Sequence, residues 1–351
     1  MELMEASVYV GDGVLEVHDV AVPEPGPGEV RIEIAQCGIC GTDLHFVLER
    51  IARPGTVLGH EWAGTIVALG EGVEGWDVGR RVVCGPEPGC GECRACLAGR
   101  PSVCLERPPT DHLSFRGAFA QYVLAPADQL VAVPEHLPSR AAALTEPTAV
   151  ALHAVTLSGV TPEDRVLVTG AGPVGMLTTA VLRAQGVHDI TVSEPAPARR
   201  ERALAVGAAR VITPDELPAA SRGNVAAEPY SVVFECSGRG EAAEAGLDQL
   251  DYAATLVFVG TSMTYPRVNH NRVIILESTI IGAYNYDAAG FAPALELLAS
   301  GKMPLDELIE PVDVLLDGLY DVMQRCARGE VPGKVMIRPE VSDEKAVEMA
   351  T

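Results

Sequence analysis

Arg165-Val166-Leu167-Val168-Thr169-Gly170-Ala171-Gly172-Pro173-Val174-Gly175 runs an apolar strand straight into a glycine-rich turn, and the helix-compatible stretch Met176 to Gln185 follows. Each glycine has a separate task in such a turn. Gly170 permits the tight bend, Gly172 lets backbone amides approach a pyrophosphate, and Gly175 allows the helix to pack closely on the strand. With Pro173 and Val174 opening the helix, the free N–H groups at its start favour a phosphate charge. A lone G-x-G-x-x-G is a weak signal, but Glu194 stands nineteen residues after Gly175 at the end of the next apolar run. A carboxylate there accepts hydrogen bonds from the adenosine ribose hydroxyls and repels a 2′-phosphate, which favours NAD over NADP. Arg199 and Arg200 pull the other way, since an arginine near that pocket serves a 2′-phosphate or packs along the adenine.

Outward from this stretch, alanine-rich helical segments alternate with apolar strands from about Ala141. The strands are expected at Arg165 to Thr169, Asp189 to Ser193, Ser231 to Glu235, Thr255 to Val259 and Thr279 to Gly282. That repetition specifies a doubly wound α/β domain with a parallel sheet. Upstream the texture differs. Short alternating runs at 6–10, 30–34, 64–69, 81–83 and 119–123, punctuated by glycine and proline, specify a compact barrel-like β domain. Beyond Ala288 a helix at 291–300 and a strand at 335–337 are expected, the latter returning to the first domain. The boundaries read as 1–147, 148–287 and 288–351.

Four cysteines fall within fifteen residues, Cys90-x2-Cys93-x2-Cys96-x7-Cys104. Thiolates this close converge most economically on one tetrahedral zinc ion, and four sulfurs leave no position for substrate, so the metal staples a lobe at about 88–106. Ferredoxin clusters share the first three spacings, but there the fourth cysteine follows after three residues and precedes proline. Here seven residues intervene and Leu105 follows.

A second set of possible ligands is dispersed: Cys40, His60 and Glu61, with Glu146 as a further anionic candidate. Catalytic zinc takes about three protein ligands and keeps one exchangeable position. Each residue also has an ordinary explanation, since single cysteines pack in cores and a glutamate before proline caps helices. Asp43 reads equally as a carboxylate orienting a histidine ligand and as a local helix cap.

The residues Gly38-Ile39-Cys40-Gly41-Thr42-Asp43-Leu44-His45, Gly59-His60-Glu61, the four-cysteine lobe, Gly117-Ala118-Phe119-Ala120-Gln121-Tyr122, Glu146-Pro147, the dinucleotide loop and Gly333-Lys334-Val335 occur in one order. In that order they resemble the zinc-dependent medium-chain dehydrogenases, the alcohol dehydrogenase superfamily, in its polyol, sugar and threonine dehydrogenase branch. The resemblance implies a GroES-like catalytic domain made from both chain ends around a nucleotide-binding domain, with the active site in the cleft between them. It implies that Cys40, His60 and Glu61 hold a catalytic zinc, with Glu146, where classical alcohol dehydrogenases have cysteine, contacting it directly or through water. Zinc would then polarise an alcohol hydroxyl while hydride passes to the nicotinamide, and Thr42 would pass the proton by way of the cofactor ribose to His45. Two zinc ions per chain and a homodimer or homotetramer are implied as well.

The net charge of −22 argues against nucleic acid as a partner, because phosphate backbones require clustered basic residues. No stretch approaches the roughly 18–20 apolar residues of a membrane span, and the acidic start Met1-Glu2-Leu3-Met4-Glu5 is unlike a signal peptide, so a cytoplasmic enzyme with a small-molecule alcohol substrate is expected. Two other functions stay compatible with the fold, a zinc-independent quinone or enoyl reductase using NADPH and a noncatalytic dinucleotide-binding regulator. Cys37, Cys84, Cys236 and Cys326 read as packing residues. Trp62, His112, Phe115, Asn271, Tyr284, Asn285 and Tyr286 are candidates for a substrate pocket. The strand 278–282 reads as a buried strand, with an edge for subunit pairing as the competing possibility.

Overall fold

The computed structural model describes residues 2–85, 89–106, 117–218, 225–261 and 265–342. His112 and Phe115 lie outside the described residues. The chain divides into two compact units, one formed by Met1–Glu146, Asp287–Ala299 and Ile309–Thr351, the other by Pro147–Tyr286 and Ser300–Leu308.

The first unit begins with the antiparallel pair β1 (Leu3–Gly11) and β2 (Val14–Ala21). The long β3 (Glu29–Gly38) and the helix α1 (Gly41–Leu48) follow. Next come β4 (Glu61–Leu69), β5 (Arg81–Cys84), the short helix α2 (Arg94–Leu97), β6 (Tyr122–Pro126), β7 (Leu130–Ala132) and α3 (Ser139–Ala142). β3 pairs antiparallel with both β4 and β6, and its inward residues Val30, Ile32 and Ile34 are buried with Ile66, Val82 and Val123. This alternation is what a half-solvated antiparallel sheet requires. The strand expected at 119–123 starts three residues later, because Ala118 and Phe119 instead donate their N–H groups to the carbonyls of Gly59 and Leu58. Those two bonds pin the loop that contains His60.

The helix α4 (Thr145–Ser158) leads into the second unit. There β8 (Arg165–Thr169), α5 (Pro173–Ala184), β9 (Asp189–Ser193), α6 (Pro197–Val206), β10 (Arg210–Ile212), β11 (Tyr230–Glu235), α7 (Gly240–Asp248), β12 (Leu250–Phe258), α8 (His270–Leu276) and β13 (Thr279–Gly282) alternate. The six strands form one parallel sheet in the order β10-β9-β8-β11-β12-β13. The order reverses between β8 and β11, so their carboxyl ends form the crevice where open α/β sheets bind ligands. Val166, Leu167 and Val168 are fully buried, as a central strand covered on both faces must be. At the far end β13 is terminal: Thr279, Ile280 and Gly282 are exposed, so the strand at 278–282 is an edge rather than a buried element.

The chain then returns through α9 (Ala288–Ala299), three residues ahead of its expected start, and α10 (Leu305–Leu308), which packs on α5 and α6 with the second unit. It closes the first unit with β14 (Val314–Leu315), α11 (Leu319–Ala327) and β15 (Met336–Arg338). β15 pairs antiparallel with β3, Met336 opposite Gly38 and Ile337 opposite Cys37, so residues 300 positions apart become neighbours. Among the described residues, no helix is long and apolar enough to cross a membrane.

Candidate functional site

At the end of β3 the chain turns through Cys40, which is the N-cap of α1: its extended backbone opens the helix and its Sγ accepts the Thr42 N–H at 3.5 Å. A helix N-terminus favours negative charge. Asp43, 1% exposed, completes a capping box by accepting the Cys40 N–H at 2.9 Å through Oδ2. Its other oxygen, Oδ1, accepts the Gly59 N–H at 3.3 Å and lies 3.5 Å from His60 Nδ1. Both sequence readings of Asp43 therefore hold together, because the cap places the carboxylate where the histidine needs it.

His60 and Glu61 reach the same place from β4. Gly59 adopts φ +96°, a left-handed turn, and a Cβ there would meet Cys37 Sγ and the Phe119 backbone at 2.9 Å. Only glycine brings the chain round so tightly. One ligand atom each from Cys40, His60 and Glu61 falls within 4.8 Å of the others. Burial opposes charge on His60, yet the facing Asp43 carboxylate and Cys40 sulfur outweigh it and raise the imidazole well above its ordinary range. Glu146, at the start of α4, is pushed up to about 7 chiefly by loss of solvent, with His60 pulling down and Glu61 raising it further. It lies electrostatically next to the set without belonging to the 4.8 Å group. A thiolate, an imidazole fixed by a carboxylate, and two nearby carboxylates form a donor set suited to zinc.

Sequence reading assigned no role to Lys334. It is 3% exposed, and its Nζ donates to both oxygens of Glu61 at 2.7 and 2.6 Å and to the Ile39 carbonyl at 3.0 Å. A lysine inside the apolar run before Val335-Met336-Ile337 is the signal that could have revealed it.

Thr42 stands in the first turn of α1, and His45 lies three residues on along the same helix. The His45 imidazole is half-exposed, with Nδ1 2.6 Å from Glu49 Oε1.

In the lobe, Cys90 Sγ lies 4.0 Å from Cys96 Sγ, and Cys93 Sγ 3.9 Å from Cys104 Sγ. These separations match the roughly 3.8 Å edge of a tetrahedron built on 2.3 Å zinc–sulfur bonds and are far beyond a disulfide. Backbone N–H groups point at the sulfurs, Cys93 to Cys90 at 3.3 Å and Cys90 to Cys104 at 3.4 Å. Amide hydrogen bonds from Cys96 and Leu105 bring Cys93 down to about 6. Against the pull of the Gly91 amide, desolvation and the three neighbouring thiols push Cys96 up to about 12. Four thiolates share this space only around a cation, so the lobe fits a structural metal.

The dinucleotide loop is built within the second unit. Gly170 has φ +92°, and a Cβ there would lie 2.8 Å from Ser237 Cβ, while a Cβ on Gly175 would lie 2.0 Å from the Gly170 carbonyl oxygen. Gly172, the N-cap of α5, has open space beside it, and Pro173 and Val174 form the first turn. The contrast matches the three glycine tasks, two for packing and one for access. Glu194, 4% exposed, accepts the Ala171 N–H at 2.8 Å and the Ala196 N–H at 2.9 Å. Arg199 sits in the first turn of α6, and Arg200 donates to the carbonyls of Glu194 and Pro195 at 2.8 and 2.7 Å. Arg200 thus braces the backbone that carries Glu194. Glu235, where β11 ends, accepts the N–H groups of Ser237 and Gly238 and shapes the turn that packs on Gly170.

The remaining cysteines give no sign of reactivity. Burial raises Cys37 and Cys236 well above the usual thiol range, and none of the nine cysteines is in a disulfide. Trp62 is 9% exposed and belongs to the core of the first unit, whereas Tyr284 is exposed.

Comparison with known proteins agrees with this arrangement. The profile of the alcohol dehydrogenase GroES-like domain matches residues 26–135, and that of the zinc-binding dehydrogenases matches residues 173–300. An L-threonine 3-dehydrogenase from Pyrococcus horikoshii is 36% identical over 310 residues, 84% of this chain and 86% of that protein. A 2-dehydro-3-deoxy-L-galactonate 5-dehydrogenase from Pseudoalteromonas atlantica is 35% identical over 327 residues, covering 90% and 93%. Among solved structures, a zinc-binding dehydrogenase from Sinorhizobium meliloti bound to NADP superposes with a TM-score of 0.85 at 29% identity, covering 97% of this chain and all of that one.

Proposed function

The chain belongs to the zinc-binding dehydrogenase family with an alcohol dehydrogenase GroES-like domain, and on that footing we propose that it oxidises a secondary CH–OH group of a small polar alcohol (a polyol, sugar, cyclitol or threonine-like amino alcohol) to a carbonyl, with hydride transfer to NAD. The observation that carries this reading is the grouping of Cys40, His60 and Glu61, whose ligand atoms lie within 4.8 Å of one another, with Asp43 against His60 and Lys334 on Glu61. Zinc bound there supplies Lewis acidity to a hydroxyl oxygen, and a nicotinamide supplies the hydride acceptor. Cys40 and His60 hold the ion, Asp43 keeps the His60 ring in place, and Glu61 and Glu146 are the carboxylates available to complete its coordination. Thr42 would relay the hydroxyl proton, giving up its own as it accepts, by way of the cofactor ribose to His45, which is half-exposed and backed by Glu49. Gly172 admits the pyrophosphate and Glu194 binds the adenosine ribose. NAD is preferred because the Glu194 carboxyl group stands at the ribose position held by two amides, while Arg200 is occupied with backbone carbonyls. The lobe holds a second, structural zinc.

The test is a reduction screen with NAD and NADP across polyols, sugars, cyclitols, threonine and simple secondary alcohols. The reading expects turnover on at least one class and a kcat/KM about tenfold or more higher with NAD. Reduction of activated alkenes with NADPH, unaffected by chelators, would establish the zinc-independent alternative.

The same reading includes a homo-oligomer assembled through β13. Its exposed edge offers unpaired backbone groups, and Ile280, Ile274, Ile275, Tyr252 and Tyr284 are exposed around it. A second copy, adding its own β13 across a twofold axis, covers that edge. Nine cysteines without a disulfide suit the reducing cytoplasm.

A further inference from the structure

The buried pair formed by Lys334 and Glu61 has more built around it than a salt bridge requires. An ammonium has three N–H donors, and Lys334 uses all three: two on the two oxygens of Glu61, one on the Ile39 carbonyl. Both partners are shut away from water, at 3% and 1% exposure. Gly38 lies opposite Glu61 on one side of β3 and opposite Met336 on the other, so the two ladders bring the pair together across it. A Cβ on Gly38 would stand 2.3 Å from Glu61 Oε2 and 3.4 Å from Lys334 Cδ, so the missing side chain is the space the pair occupies.

The lysine backbone is tied down in turn. Glu310 donates its N–H to the Lys334 carbonyl at 2.8 Å and accepts the Gly333 N–H at 2.6 Å. Arg140 of α3 holds the Glu310 carbonyl and bonds Asp313 at 2.7 Å, and Gln36 of β3 holds the other Asp313 oxygen at 2.9 Å. In a chain where only three of 26 basic residues are lysine, this position carries a compact point charge able to sit between two oxygens.

We infer that Lys334 is a positioning residue that keeps Glu61 in reserve beside the metal, engaging both carboxylate oxygens so that Glu61 becomes a ligand only when one of them leaves the ammonium. The inference rests on the proposed metal centre at Cys40, His60 and Glu61. Charge supports it. Paired with Lys334, Glu61 contributes no net charge, and the Cys40 thiolate with Glu146 suffices to balance a dication. Without Lys334, Glu61 is a bare buried carboxylate within 4.8 Å of the Cys40 sulfur, and binding the dication is its best remaining compensation. Coordination closes, the ion is held more tightly, and the position needed by a substrate hydroxyl is taken.

The experiment uses the full-length protein loaded with cobalt(II), with the spectrum of Cys40→Ser subtracted to remove the lobe. Lys334→Met is expected to change the visible bands of the Cys40 site and to slow cobalt loss to a chelator about tenfold or more; Lys334→Arg, which keeps the charge, is expected to recover the wild-type rate at least in part. Glu61→Gln and the double variant Glu61→Gln with Lys334→Met remove the charge that makes the single variant hard to fold. Those two are expected to give the same spectrum and rate, because the lysine acts through Glu61. Unchanged bands and rate in Lys334→Met, or a clear difference between those last two variants, would overturn the inference. Absence of any Cys40-dependent cobalt band in the wild type would instead overturn the metal centre itself.

Discussion

A single residue decides the chemistry of this site more than once. Cys40 is a helix N-cap, a partner in the capping box with Asp43 and the proposed metal donor, and serine could replace it in the first two tasks only. Cys40→Ser is therefore expected to leave the melting temperature of the chelated protein nearly unchanged while abolishing one zinc equivalent and lowering turnover by about 10³-fold; metal analysis alongside kinetics checks this. Protons compete with the metal at the same place. His60 and Glu146 both titrate above their ordinary values, Glu146 at about 7, so each binds a proton more tightly folded than unfolded. The stability they give the metal-free protein is complete below their unfolded values and disappears as pH rises through the folded ones. Its melting temperature should therefore fall between about pH 5 and 8, with Glu146→Gln flattening part of the slope, while metal affinity should rise over the same range because both groups must release their protons. Calorimetry of chelated and loaded protein separates the two trends.

At the scale of elements, the turn between β8 and α5 shapes the proposed coenzyme site. A methyl on Gly175 would fall 2.0 Å from the Gly170 carbonyl, so Gly175→Ala should cost about 3 kcal/mol and weaken binding of both NAD and NADP; thermal melts and coenzyme titration read the two effects. Had the glycine served access alone, binding would fall with no loss of stability. The lobe makes the converse case. Cys93→Ser should remove the other zinc equivalent and cost about 3 kcal/mol, and the Cys40-dependent equivalent should remain. Loss of both equivalents from that one substitution would contradict two independent sites.

For the whole molecule, the informative surface is the β13 edge. The sequence run Ser278-Thr279-Ile280-Ile281-Gly282 reads as a buried strand because it is apolar, yet it ends the sheet. Apolarity reports that water is excluded, and a partner subunit excludes it as well as a core does. Ile280→Glu should shift the protein to a smaller species in sedimentation, and unchanged mass would place the interface elsewhere.

Much of this architecture follows from local patterns that need no third dimension. The strand–turn–helix from Arg165, the carboxylate at Glu194 and the four-cysteine spacing each act within a few turns of chain, and β8, β9 and β13 fall where their apolar runs lie. That Cys40 and His60 belong together was legible for a similar reason, since ligand chemistry restricts the residue types, and the structure brings them within 4.8 Å. What tertiary structure alone decided is the company these residues keep. Lys334 meets Glu61 across 273 positions because β15 returns to pair with β3, and Asp43 becomes both cap and histidine partner because Gly59 turns β4 toward α1. Composition and periodicity record which way a side chain faces; a buried ion pair depends on which distant segment arrives opposite it, and that is set by the packing of the whole sheet.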